Sequence, residues 1–169
     1  IDAVVHALEA YVSVMANEYS DGQALQALKL LHDHLPAAYA EGAANLRARE
    51  LVHNAATIAG IAFANAFLGV CHSMGHKIGA EFDIPHGTAN AMLIANVVRY
   101  NAVDIPTKQA AFSQYDRPKS VARYAEIARH LGLGGSRDHQ RVELLVDWIE
   151  ELKRQLDVPP SIRDAALGV

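Results

Sequence analysis

An all-α fold is what this sequence predicts, and three observations carry the prediction. Apolar and small residues recur at helical spacing, as at Val5, Leu8, Val12 and Met15. No window alternates apolar and polar residues with the period of two that a half-buried strand requires. The breaks between apolar runs carry helix punctuation, with cap residues ahead of them and Gly or Pro behind.

Taken in order, the first helix is expected over Asp2 to Asn17. The next run begins with cap candidates at Ser20 and Asp21 and is expected to bend at Pro36. Asn45 suits the cap of a long helix running through Leu51, Ala55 and Ile58 into the apolar stretch AATIAGIAFANAFLGVC and on toward a cluster of histidines. Pro85-His86-Gly87 interrupts that pattern, and ANAMLIANVVRY reads as a further buried helix. Pro118 stands where a first-turn proline would, ahead of KSVARYAEIARHLGL and its Gly-rich end. VELLVDWIEELKRQL is an amphipathic helix stopped by Pro159-Pro160.

Composition bounds the function. The 169 residues are the size of one domain, and a formal net charge of −4 with mixed signs leaves no basic patch for nucleic acid. A single cysteine, Cys71, makes no intramolecular disulfide, which points to a reducing, cytoplasmic setting. The chain starts without an initiator Met or a basic leader, so it is expected to begin inside a longer polypeptide. The stretch Ala55 to Cys71 approaches membrane-span length. However, it is Ala/Gly-rich and broken by Thr57 and Asn65, which suits close helix packing in a soluble protein.

The chemistry concentrates in histidines. Asp2 and His6 are four residues apart, one helical turn on one face, and so are His72 and His76. His86 follows on a loop after Pro85. A carboxylate and imidazoles suit first-row divalent metals, and two such pairs with a loop histidine can converge on one ion. Any one of them alone is more readily a hydrogen-bonded core residue, and spacing leaves packing and ligation both open. His32, His34, His53, His130 and His139 lie in polar company without such a pattern and are read as structural.

The segments IDAVVHALEAYVS, FANAFLGVCHSMGHKIGAEFDIPHGTANAMLIANVVRYN and AFSQYDRPKSVARYAEIARHLGL closely resemble the iron-dependent alcohol dehydrogenases. The nearest likeness is to the alcohol dehydrogenase part of bifunctional aldehyde-alcohol dehydrogenases. The resemblance implies metal ligation by Asp2, His6, His72 and His86, with Fe²⁺ as the ion and Zn²⁺ able to substitute. It makes His76 a non-ligand near the metal and the nicotinamide, and puts Phe63 on the substrate channel. It further implies that residues 1–169 are one helical metal-binding domain fragment, truncated at both ends. The domain that binds NAD would lie upstream, since no Gly-rich strand-to-helix turn is present here.

On that resemblance the expected reaction is NAD-linked interconversion of short-chain alcohols and aldehydes, ethanol and acetaldehyde among them. The metal would act as Lewis acid, and the fragment alone would be inactive. His76 is then either a proton relay or a nicotinamide-positioning group. The same fold serves glycerol dehydrogenase and dehydroquinate synthase, so fold alone does not choose the reaction. A different class of reading is a helical assembly module. The bifunctional relatives are homo-oligomers that form filaments, and the amphipathic 141–156 helix offers a contact surface.

Overall fold

The first helix, α1, runs from Asp2 to Val12 and is buried on nearly every side. In this computed structural model, which describes residues 1–103 and 119–167, the helices α2 (Glu18–Glu41), α3 (Leu46–Ala66), α5 (His86–Asn101) and α6 (Ser120–His130) all pack against it. Val4, Val5, Leu8 and Tyr11 point into the core, none more than 2% exposed. α1 stops short of the Asn17 expected from its apolar stripe, and Met15 lies outside it, exposed. The cause is competition from the next helix. Asn17 is the cap of α2: its side chain accepts the Tyr19 and Ser20 N–H groups, while Ser20 Oγ accepts the Asn17 N–H. Ser20 is therefore the reciprocal partner in the cap and not the cap itself. The last turn of α1 is held from α6, where Arg123 lies over the Tyr11 ring and donates to the Tyr11 carbonyl and to Asp21.

α2 continues through Pro36 as one helix, giving up one ladder hydrogen bond there. A 3₁₀ turn at Gly42–Ala44 reverses the chain. Asn45 caps α3 as expected, accepting the Ala48 N–H at 3.0 Å. Ala24 and Ala27 of α2, with Ala55, Ala59, Ala62 and Ala66 of α3, are completely buried at the three- and four-residue spacing of a single face. These small side chains let the α2–α3 hairpin close tightly.

The long helix expected to run on into the histidines is broken. α3 ends at Ala66 and α4 (Val70–Phe82) leaves it at 110°. The hinge is Phe67, at φ 65° and ψ 177°, a backbone region reserved almost entirely for glycine. No single helix among the described residues is long and apolar enough to cross a membrane. α5 begins immediately after Pro85, whose φ of −53° is already helical, so His86 is a first-turn helical residue and not the expected loop histidine.

Pro118 lies outside the described residues. α6 ends in the expected glycine turn, with Gly132, Gly134 and Gly135 all at positive φ. α7 (Asp138–Gln155) buries Val142, Leu145, Val146, Ile149 and Leu152 and packs on α5 and α6, so its apolar face is spent inside the molecule. It stops ahead of the prolines: Asp157 turns left-handed at φ 52° and the Val158 N–H bonds the Lys153 carbonyl. A short α8 (Ile162–Leu167), not expected from the sequence, follows against α5. Among the described residues there is no strand.

Candidate metal centre

At 100° per residue, Asp2, His6 and Glu9 of α1 fall within an arc of about 60°, on a different side from Val4, Leu8 and Tyr11. α4 crosses this face and sets His72 against it, and the first turn of α5 adds His86. One ligand atom each from Asp2, His6, His72 and His86 lies within 4.8 Å of every other. The Asp2 carboxylate is central, at 3.5 Å from His6 Nε2, 3.7 Å from His72 Nε2 and 3.8 Å from His86 Nε2. Around a tetrahedral ion with bonds of about 2.1 Å, neighbouring donors stand about 3.4 Å apart, so a small contraction fits this set.

The orientation of His72 is the sharpest feature. Its Nδ1 lies 2.7 Å from Glu9 Oε2. An ionised carboxylate only accepts, so Nδ1 carries the proton and Nε2 the lone pair. That Nε2 is buried and has no hydrogen-bond partner. A buried lone pair facing a carboxylate and two further imidazoles is costly unless a cation takes it. The residues present therefore fit a divalent ion.

The surrounding charges agree. Burial, foremost, lowers the His6 pKa; Asp2 opposes this and His72 and His86 add to it, so the neutral, donating form is favoured. Burial alone would raise the Glu9 carboxyl. The hydrogen bonds from His72, Gly69 and Cys71 outweigh it and hold Glu9 below its ordinary value, as the carboxylate. Burial pushes the Cys71 thiol up, and its Sγ donates to the Asn90 carbonyl at 3.4 Å, outside the group of four.

His76 lies outside the group of four. It is exposed on α4, its ring 4.8 Å from that of His86 and 6.3 Å from that of His72. Phe63 is half-buried with its ring 4.5 Å from His6. Of the histidines read as structural, His32 does have partners, Asp33 at 2.9 Å and the Trp148 ring.

Two residues escaped the sequence reading. Glu9 is one. Asn90 is the other: its amide donates to Asp2 Oδ1 at 2.8 Å and stands 3.0 Å from His86 Nε2. Its bulk is accommodated by Gly75, where any Cβ would fall 1.9 Å from Asn90 Oδ1. The signals were present in the spacing, since Glu9 is one turn beyond His6 and Asn90 one turn beyond His86.

Residues 1–168 match the Fe-containing alcohol dehydrogenase family, C-terminal part, and the chain belongs to that family. It is 67% identical over 169 residues to the bifunctional aldehyde-alcohol dehydrogenase AdhE of Escherichia coli, covering 99% of this chain and 19% of that protein. It is 51% identical to the aldehyde-alcohol dehydrogenase of Clostridium acetobutylicum, again over 99% of this chain and 19% of the relative. The solved alcohol dehydrogenase from Oenococcus oeni superposes with a TM-score of 0.82 at 34% identity, covering 99% of this chain and 39% of that one. The chain thus spans about a fifth of the length of the bifunctional relatives it matches.

Proposed function

We propose that this chain is the metal-binding part of an NAD-linked alcohol dehydrogenase interconverting short primary alcohols and their aldehydes, with ethanol and acetaldehyde as the leading pair. The observation that carries the reading is the buried, partnerless His72 Nε2 aimed at Asp2, His6 and His86. Asp2, His6, His72 and His86 would hold the ion, Fe²⁺ by family and Zn²⁺ as a substitute. When bound, that ion supplies Lewis acidity toward an alcohol or carbonyl oxygen. The likeness to aldehyde-alcohol dehydrogenases supports an alcohol or aldehyde substrate.

The chain's own residues divide the remaining work. Phe63, against His6, gives the donors an apolar wall that excludes water and suits a short alkyl group. His76, exposed beside His86, takes the hydroxyl proton toward solvent. The nicotinamide and the domain that binds it belong, on this proposal, to the rest of the longer polypeptide. In the anaerobically purified full polypeptide, metal analysis should give about one ion per chain. His72→Ala or His86→Ala should abolish it together with NAD-linked ethanol oxidation. Unchanged stoichiometry in both variants would overturn the assignment.

A further inference from the structure

We infer that Glu9 is the positioning residue of this centre, fixing the tautomer and rotation of His72 and fastening that imidazole to the first turn of α4. The inference rests on the metal reading given above.

Glu9 is 3% exposed, near the C-terminal end of α1 and one turn beyond His6. Its hydrogen bonds come from N–H groups of Gly69, the cap position of α4, and of Cys71 and His72 in the first turn. Oε2 takes His72 Nδ1 at 2.7 Å and the His72 backbone N–H at 3.4 Å, and Oε1 takes the Cys71 backbone N–H at 2.7 Å. The first N–H groups of a helix have no partner within it, and the helix dipole favours an anion there. α4 has no side-chain cap of its own, because its cap position is Gly69. Glu9 fills that role from another helix.

Gly69 is the complement to Glu9. A Cβ on Gly69 would come within 2.8 Å of Glu9 Oε1, so only glycine leaves the carboxylate its place. The same carboxylate therefore does two jobs through one geometry: it caps α4, and it dictates which nitrogen of His72 faces the other donors. His72 is the most enclosed of the four, its side chain 4% exposed against 20% for His6, 28% for Asp2 and 41% for His86. A ring flip would present Nδ1 instead of Nε2 to the ion, and the Glu9 bond prevents it. Glu9 is not itself a donor to the ion, because it lies on the Nδ1 side of the ring, away from Nε2.

Glu9→Gln tests this in the full polypeptide. Gln keeps the size but offers one acceptor and one NH₂ where Glu offers two acceptors. Its amide must then either lose Cys71 or drive His72 to the tautomer with Nε2 protonated. Chelator competition with Zn²⁺, measured per folded chain, should show affinity falling by about 10–100-fold, as for outer carboxylates of metal-bound histidines. A capping role alone would lower the Tm of the metal-free protein and leave the metal Kd unchanged, and that result overturns the inference. Should Glu9→Gln fail to fold, the metal-loaded crystal structure of the unsubstituted polypeptide decides. Zn²⁺ on His72 Nε2 with Glu9 on Nδ1 supports the inference; Zn²⁺ on Nδ1, or bound by Glu9, overturns it. An unsubstituted polypeptide that binds no Zn²⁺ refutes the metal reading itself, and Glu9's role with it, before any variant is made.

Discussion

The α2–α3 hairpin and the junction of α1, α4 and α5 hold this chain together by different means. In the hairpin, fully buried alanines set the helix spacing and each helix is capped by an Asn beside it in sequence. At the junction, buried polar groups do the joining: Glu9 reaches α4, and Asn90 reaches back to Asp2. Apolar contact tolerates exchange of one small residue for another, whereas a buried polar network depends on every member. The hairpin should therefore respond to volume and the junction to hydrogen-bonding chemistry, with little crossover at positions such as Ala55, about two helical turns from Phe63, where α3 meets His6.

Beyond loss of a donor itself, the largest effect expected in either region comes from His76→Ala in the full polypeptide. If His76 moves the proton, kcat should fall by about 10²–10⁴ with metal content retained. Metal loss on this one substitution would move His76 into the donor set. A rise confined to the KM for NAD would make it a nicotinamide-positioning group instead.

Ala55→Leu probes the hairpin. Overpacking a site with no exposure should cost about 1–3 kcal/mol in denaturant unfolding, with metal stoichiometry unchanged. Loss of metal from this variant would break the separation between the two regions. The smallest expected effect is that of Asn17→Ala, which removes the acceptor for two N–H groups at the start of α2. It should cost about 1 kcal/mol and leave the metal Kd alone.

The same contrast governs how much the sequence disclosed. The all-α class, the Asn45 cap, the glycine turn after α6 and the apolar face of α7 were legible because their causes lie within a few residues. Spacing brought Asp2, His6, His72, His76 and His86 together as candidates, and the family likeness selected four of them and set His76 apart. The break at Phe67 was not legible, since a positive φ at a bulky residue has no compositional marker in an Ala/Gly-rich run. The choice of Asn17 over Ser20 and Asp21 was ambiguous among good capping residues. Glu9 and Asn90 were missed because their partners lie 63 and 88 positions away in the chain. Helical spacing puts Glu9 and Asn90 on the faces of His6 and His86, but it does not say which distant group each would meet.

α1 puts both kinds of contact on one short rod. Val4, Leu8 and Tyr11 occupy one side, and Asp2, His6 and Glu9 the other. The two sides share a register, so a single inserted residue between Asp2 and Glu9 would turn one part of the helix by about 100° against the rest. No rotation of the rod could then seat the core side chains and aim the donors together. The angular setting that closes the hydrophobic interior is the one that points the carboxylate and imidazole at His72, so correct folding of this helix also sets the aim of its donors.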